Sequence, residues 1–224
     1  MALDIQKIKA ICFDIDGTLS DTDNQMIAQV QRWLSPMRYF IDQEALPIIA
    51  RRIVMALESP VNIIFEWLDR LHMDKILTWI MDRYTGRGYR KRNQFLLVEG
   101  VIPMLDSLSK KYPLAIISAR DERSVMQFLK QFKLITFFKV IITARTCPHT
   151  KPYAQPLLFA AERLGIRPEN ILIVGDTYVD IKTGKRAGAQ TLGVLCGFGT
   201  EKELIKEGAD MILASTADLK DLLG

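Results

Sequence analysis

Cysteine is scarce and scattered: there are three, Cys12, Cys147 and Cys196, with no Cys-x-x-Cys pair. That spacing excludes a zinc knuckle and a disulfide framework, and it favours a reducing compartment. Long apolar runs are missing too. None approaches the roughly 18 residues that a membrane span needs, and charges interrupt the opening stretch MALDIQKIKAICFDID, unlike a secretory leader. The expectation is a cytoplasmic protein with no membrane partner. Nor is there a large surplus of one charge: the formal net charge of +4 suits a small anionic ligand but not the basic face of a nucleic-acid binder. No repeat or low-complexity tract stands out. With 49% hydrophobic and 25% charged residues over 224 positions, the chain can form one sizeable core and a smaller accessory domain. A monomer and a homodimer are equally compatible with it.

What the chain does contain is a series of short apolar runs with β-branched residues: KAICFDI, PLAIIS, KVIIT, NILIVGD and, as a fifth candidate, QTLGVLCG. They read as buried strands. Segments of helical period lie between most of them, at 101–111, 122–132, 153–164 and 180–187. This alternation after about residue 98 predicts an α/β fold, a doubly wound Rossmann-like parallel sheet covered on both faces. From about 22 to 93 the alternation stops, and apolar residues such as Met26, Val30, Trp33 and Met37 recur at helical spacing. A smaller all-helical insertion is expected at 21–96, dividing the core into 1–20 and 97–224. Its tryptophans, at 33, 67 and 79, read as interior packing.

Two of the strands end in acids. Phe13-Asp14-Ile15-Asp16-Gly17-Thr18 places two carboxylates on one face of an extended segment just before a glycine turn. A polar turn closing a strand is the other reading of that pair. Ile173-Val174-Gly175-Asp176-Thr177-Tyr178-Val179-Asp180 repeats the pattern. If the two strands are neighbours, four carboxylates converge at the carboxyl end of the sheet, where such folds bind ligands and where a divalent cation would relieve the repulsion. Ser118, at the end of PLAIIS, and Lys151, before Pro152, are single residues that read as a turn serine and a solvated lysine unless they face those acids.

Taken together and in this order, DIDGTLSD, Ser118, Lys151-Pro152 and GDTYVD resemble the four motifs of the haloacid dehalogenase superfamily. The stretch from Lys151 to Gly199 is most similar to the phosphoglycolate phosphatase-like branch, in which a helical cap follows the first motif. The resemblance implies a phosphatase that uses Mg2+ and acts on a small phosphorylated metabolite through an aspartyl-phosphate. It implies Asp14 as nucleophile and metal ligand, and Asp16 as general acid and base that also offers its backbone carbonyl to the metal. Asp176 would complete the metal shell, and Asp180 would coordinate through water or steady Lys151, with Ser118, Ala119 and Lys151 around the phosphoryl group. The second aspartate of the first motif argues against a dehalogenase. Ser118-Ala119-Arg120 departs from the family, since many relatives carry Asn where Ala119 stands.

Phosphomutase and inorganic pyrophosphatase activities fit the same residues, and a receiver-like phosphoacceptor is a more remote alternative. The basic run Arg83 to Arg92, and Arg51 with Arg52, read as solvated surface or as contacts to a second anionic group. Gly197-Phe198-Gly199 lacks the third glycine of a dinucleotide fingerprint and reads as a turn.

Overall fold

The computed structural model describes residues 3–21 and 95–224. The chain divides into two compact units, Met1–Thr22 with Leu96–Gly224, and Asp23–Phe95. The expected helical insertion, its tryptophans and its arginines lie outside the described residues.

Six strands form one parallel sheet: β1 (Ala10–Phe13), β2 (Leu114–Ile117), β3 (Phe138–Ile142), β4 (Ile171–Gly175), β5 (Gln190–Val194) and β6 (Met211–Leu213). Their order is β3-β2-β1-β4-β5-β6. The five apolar runs found in the sequence are β1 to β5. The sixth strand is a three-residue, half-buried element that carries too little pattern to be read.

Both faces of the sheet are apolar because both are covered, which is why β1, β2 and β4 are buried at every position. On one face, Ala10, Cys12, Ala115, Ile117, Ile171 and Ile173 pack with Leu157 and Ala160 of α3 (Gln155–Leu164). The alternate residues, Ile11, Phe13, Leu114, Ile116, Leu172 and Val174, point to the other side and are equally buried. There Phe13 meets Phe138 edge to face, with ring centroids 6.5 Å apart. Four other helices complete the layers: α1 (Val101–Leu108), α2 (Glu122–Gln131), α4 (Tyr178–Ala187) and α5 (Glu201–Lys206); α6 (Leu219–Leu223) packs against α1.

Chain direction explains where the acids meet. From β1 the chain builds outward through β2 and β3, then crosses to the other side of β1 for β4 and builds outward again through β5 and β6. The reversal lies between β1 and β4, and in sheets of this kind ligands bind beyond the carboxyl ends of the strands at that point. Phe13 is in register with Val174, and the amide of Asp14 donates to the Val174 carbonyl at 3.0 Å. The chain then turns at once: Ser20 donates from its amide to Ile15 at 2.7 Å and Gly17 to Ser20 at 2.9 Å. Beyond the turn, Ser20 bridges Leu97 in antiparallel fashion, and Asp21 donates to Leu96 at 3.0 Å. The outgoing and returning chains at residues 20–21 and 96–97 therefore run side by side.

Candidate active site

The loop after β1 carries Asp14 and Asp16, and the loop after β4 carries Asp176 and the first turn of α4 with Asp180. One carboxylate oxygen from each of Asp14, Asp176 and Asp180 lies within 4.8 Å of the others, and all three residues are buried. Into this group comes Lys151 from the loop before α3. Its ammonium lies 2.7 Å from Asp14 Oδ1 and 2.6 Å from Asp180 Oδ1, and its side chain is 5% exposed. The solvated-lysine reading is therefore overturned, because two anions hold the charge below the surface.

Asp180 is fixed from its other oxygen. The Thr177 hydroxyl and amide donate to Oδ2 at 2.9 and 3.2 Å. The Asp180 carboxylate thus caps the amide that precedes α4, so one side chain both starts a helix and holds the lysine. Asp176 takes a 2.8 Å hydrogen bond at Oδ2 from the amide of Phe198, and the Thr18 hydroxyl stands 3.4 Å from Oδ1.

Three carboxylates face one ammonium, leaving a surplus of two negative charges if all ionise. Burial pushes the Asp14 carboxyl up to about 7; Lys151 opposes this, while Asp180 and Asp16 add to it. Asp176 is also raised well above its ordinary value, first by burial and then by Asp180 and Asp14. For Lys151, burial disfavours the charge, but the two adjoining carboxylates outweigh it and hold the ammonium above its usual range. A surplus of two charges, presented only by oxygen donors in a buried cluster, is a chemical match for one hard divalent cation such as Mg2+.

Asp16 stands apart from that cluster. Both its carboxylate oxygens are taken by Arg120: Nε donates to Oδ2 at 2.6 Å and Nη2 to Oδ1. This fork-to-fork pairing fixes the plane of the carboxylate as well as its position. Arg120 is itself buried and sits two residues after Ser118, whose hydroxyl accepts from the Arg120 amide at 3.2 Å. Ser118 lies just past the end of β2, its amide donating to Ile142 at 3.0 Å, so the loop after β2 reaches the loop after β1. Ala119 between them is exposed.

Of the residues singled out from the sequence, Asp14, Lys151, Asp176 and Asp180 are brought into direct contact or close approach. Asp16 and Ser118 are linked through Arg120. Two contributors escaped the sequence reading. Arg120 was seen only as part of a stretch that departs from a motif, and its partner Asp16 lies 104 residues away. Phe198 contributes a backbone amide, which no side-chain pattern reveals.

The sequence profile of the haloacid dehalogenase-like hydrolases matches residues 11–194, a span that contains every one of these groups except Phe198. The chain belongs to that family. Across 97% of both chains it is 30% identical to a protein named pyrophosphatase PpaX from Anoxybacillus flavithermus. It is 26% identical to a phosphoglycolate phosphatase of Escherichia coli O157:H7, over 98% of this chain and 94% of that protein. Among solved structures, a HAD-superfamily hydrolase of subfamily IA from Geobacter sulfurreducens aligns over 97% of each chain with a TM-score of 0.64 and 26% identity. A haloacid dehalogenase-like family protein from Streptococcus pneumoniae aligns over 98% of this chain and 100% of its own, at TM-score 0.64 and 20% identity, a likeness of fold. This haloacid dehalogenase-like hydrolase is a phosphatase. No helix among its described residues is long and apolar enough to cross a membrane.

Proposed function

We propose that the chain hydrolyses a small phosphate monoester, of the size of phosphoglycolate, in a Mg2+-dependent reaction that passes through an aspartyl-phosphate on Asp14. The observation that carries this reading is the meeting of Asp14, Asp176 and Asp180 around the buried ammonium of Lys151. In this reading the ion would be held by Asp14, Asp176, the Asp16 carbonyl and, directly or through water, Asp180; when bound it would neutralise charge on the transferring group.

The chain's own groups then divide the work. Asp14 attacks phosphorus with one carboxylate oxygen, the bond from phosphorus to the ester oxygen breaks, and Asp16 delivers a proton to that departing oxygen. Water next attacks the acyl phosphate, the bond between phosphorus and Asp14 breaks, and Asp16 takes up the proton that water gives. Lys151 stays paired with Asp14 and Asp180 and offers its one remaining donor to a phosphoryl oxygen, as the Ser118 hydroxyl and the amide of Ala119 do from the β2 side. Segment 21–96 serves as a cap that limits substrates to small molecules.

Phosphate release should be measured from sugar phosphates, phosphoglycolate, nucleotides and pyrophosphate, with Mg2+ and with chelator. Mg2+-dependent release from small monoesters, lost in Asp14→Asn, is the expected result; release that ignores chelator or survives that substitution would overturn the mechanism. A second reading, hydrolysis of inorganic pyrophosphate, is favoured by the relatives named pyrophosphatase at 27–30% identity. The same panel separates the two by comparing kcat/KM for pyrophosphate and phosphoglycolate.

A further inference from the structure

The loop after β5 was read from the sequence as a simple turn, yet it is pressed against Asp176. Phe198 donates its amide to Asp176 Oδ2 at 2.8 Å. A Cβ placed on Gly197 would fall 2.6 Å from the Asp176 Cβ, and one on Gly199 would fall 2.9 Å from the Asp176 carbonyl carbon. A Cβ on Gly17 would fall 2.6 Å from the Asp176 carboxyl carbon and 3.0 Å from the Gly197 Cα. Real side chains do not approach this closely, so bare backbone is required around this one carboxylate. No other hydrogen bond is donated to Asp176 Oδ2 among the described residues, and the hydrogen bond at Oδ1 is the long one from the Thr18 hydroxyl at 3.4 Å.

From this geometry we infer that Gly197, Phe198 and Gly199 are positioning residues for a divalent cation: the loop sets the rotamer of Asp176 and so decides how that carboxylate is presented. Asp176 has two oxygens and a freely turning χ2, and without a fixed partner it would not present the same oxygen each time. The Phe198 amide occupies Oδ2, and the missing side chains of Gly17 and Gly197 leave one slot that the carboxylate fills. Groups behind a metal ligand commonly govern affinity in this way. The inference rests on the magnesium reading proposed above, and the experiment is chosen to tell failure of the one from failure of the other.

The test uses the full chain and Mn2+ binding by isothermal titration calorimetry, with no substrate present. Gly197→Ala pushes on the Asp176 side chain as far in as its Cβ, so Mn2+ affinity should fall by about 10-fold or more, with a smaller drop in the unfolding temperature in chelator than Gly199→Ala gives. Gly199→Ala pushes on the Asp176 carbonyl, so it should lower both. In the wild-type protein, the Phe198 amide resonance should shift on Mg2+ addition, because its acceptor acquires a second partner; this arm stands even if a variant fails to fold. Wild-type protein that binds neither ion would sink the magnesium reading and this inference with it. Wild-type binding together with undiminished Mn2+ affinity in Gly197→Ala, or a Phe198 amide indifferent to Mg2+, would overturn the role of the loop alone.

Discussion

Replacing Asp14 by Asn should make the cation-free protein more stable while abolishing turnover. Burial places the Asp14 carboxyl at about 7 in the folded chain against 3.8 for the free side chain. The folded state therefore holds a proton that the unfolded state has released throughout that interval. The sign follows directly: where the folded state binds more protons, stability falls as pH rises, here from about pH 4 until the folded group ionises near pH 7, and it is flat above. The span from 3.8 to about 7 corresponds to roughly 4 kcal/mol at 1.36 kcal/mol per unit. Asparagine carries no such penalty but forfeits the ion pair with Lys151, which keeps Asp180 as its other partner. The net gain should be about 1–4 kcal/mol at pH 8 and smaller at pH 5. Urea denaturation of both proteins in chelator at the two pH values measures it. Added Mg2+ should reverse the order by stabilising the wild type more. If Asp14→Asn is less stable than the wild type at pH 8 without cation, the claim that repulsion and burial strain this site is refuted.

Asp16→Asn should lower turnover by roughly 10²–10⁴-fold and leave Mn2+ affinity unchanged, because the Asp16 carboxylate lies outside the cluster of three acids. It should lower the melting temperature, because an amide gives the buried Arg120 fork one acceptor in place of two. Arg120→Met removes both donors of the fork on Asp16 and should lower kcat by roughly 10–100-fold, with kcat read from steady-state phosphate release; an unchanged kcat would show that Asp16 needs no such support. Away from the site, the Asp210 side chain is 6% exposed and accepts from Lys185 and from both the amide and hydroxyl of Thr191. Its burial is outweighed by these donors, so its carboxyl is held below the ordinary range. The stability it contributes is present above that range and is lost as the pH falls into and below it. Asp210→Asn should therefore cost about 2 kcal/mol at pH 7, less at pH 3, with kcat unaltered; denaturant titrations at the two pH values check this.

The sequence by itself determined that five apolar runs alternate with helical segments. It also determined that acids stand at the ends of two of those runs, because burial on both faces of a parallel sheet leaves nearly continuous apolar strands and pushes charge to their ends. It could name Asp14, Asp16, Asp176, Asp180, Ser118 and Lys151, since each sits at a strand end or in a short motif. Only the tertiary structure decided that β1 and β4 are neighbours, which is what brings Asp14 of one acid pair to Asp176 and Asp180 of the other. It alone took Lys151 from an apparent surface loop into the space between two carboxylates. Arg120 and the amide of Phe198 became legible only there, because the partner of each is more than 20 residues away or is met through backbone, and neither distance nor a main-chain N–H leaves a local pattern in the order of side chains.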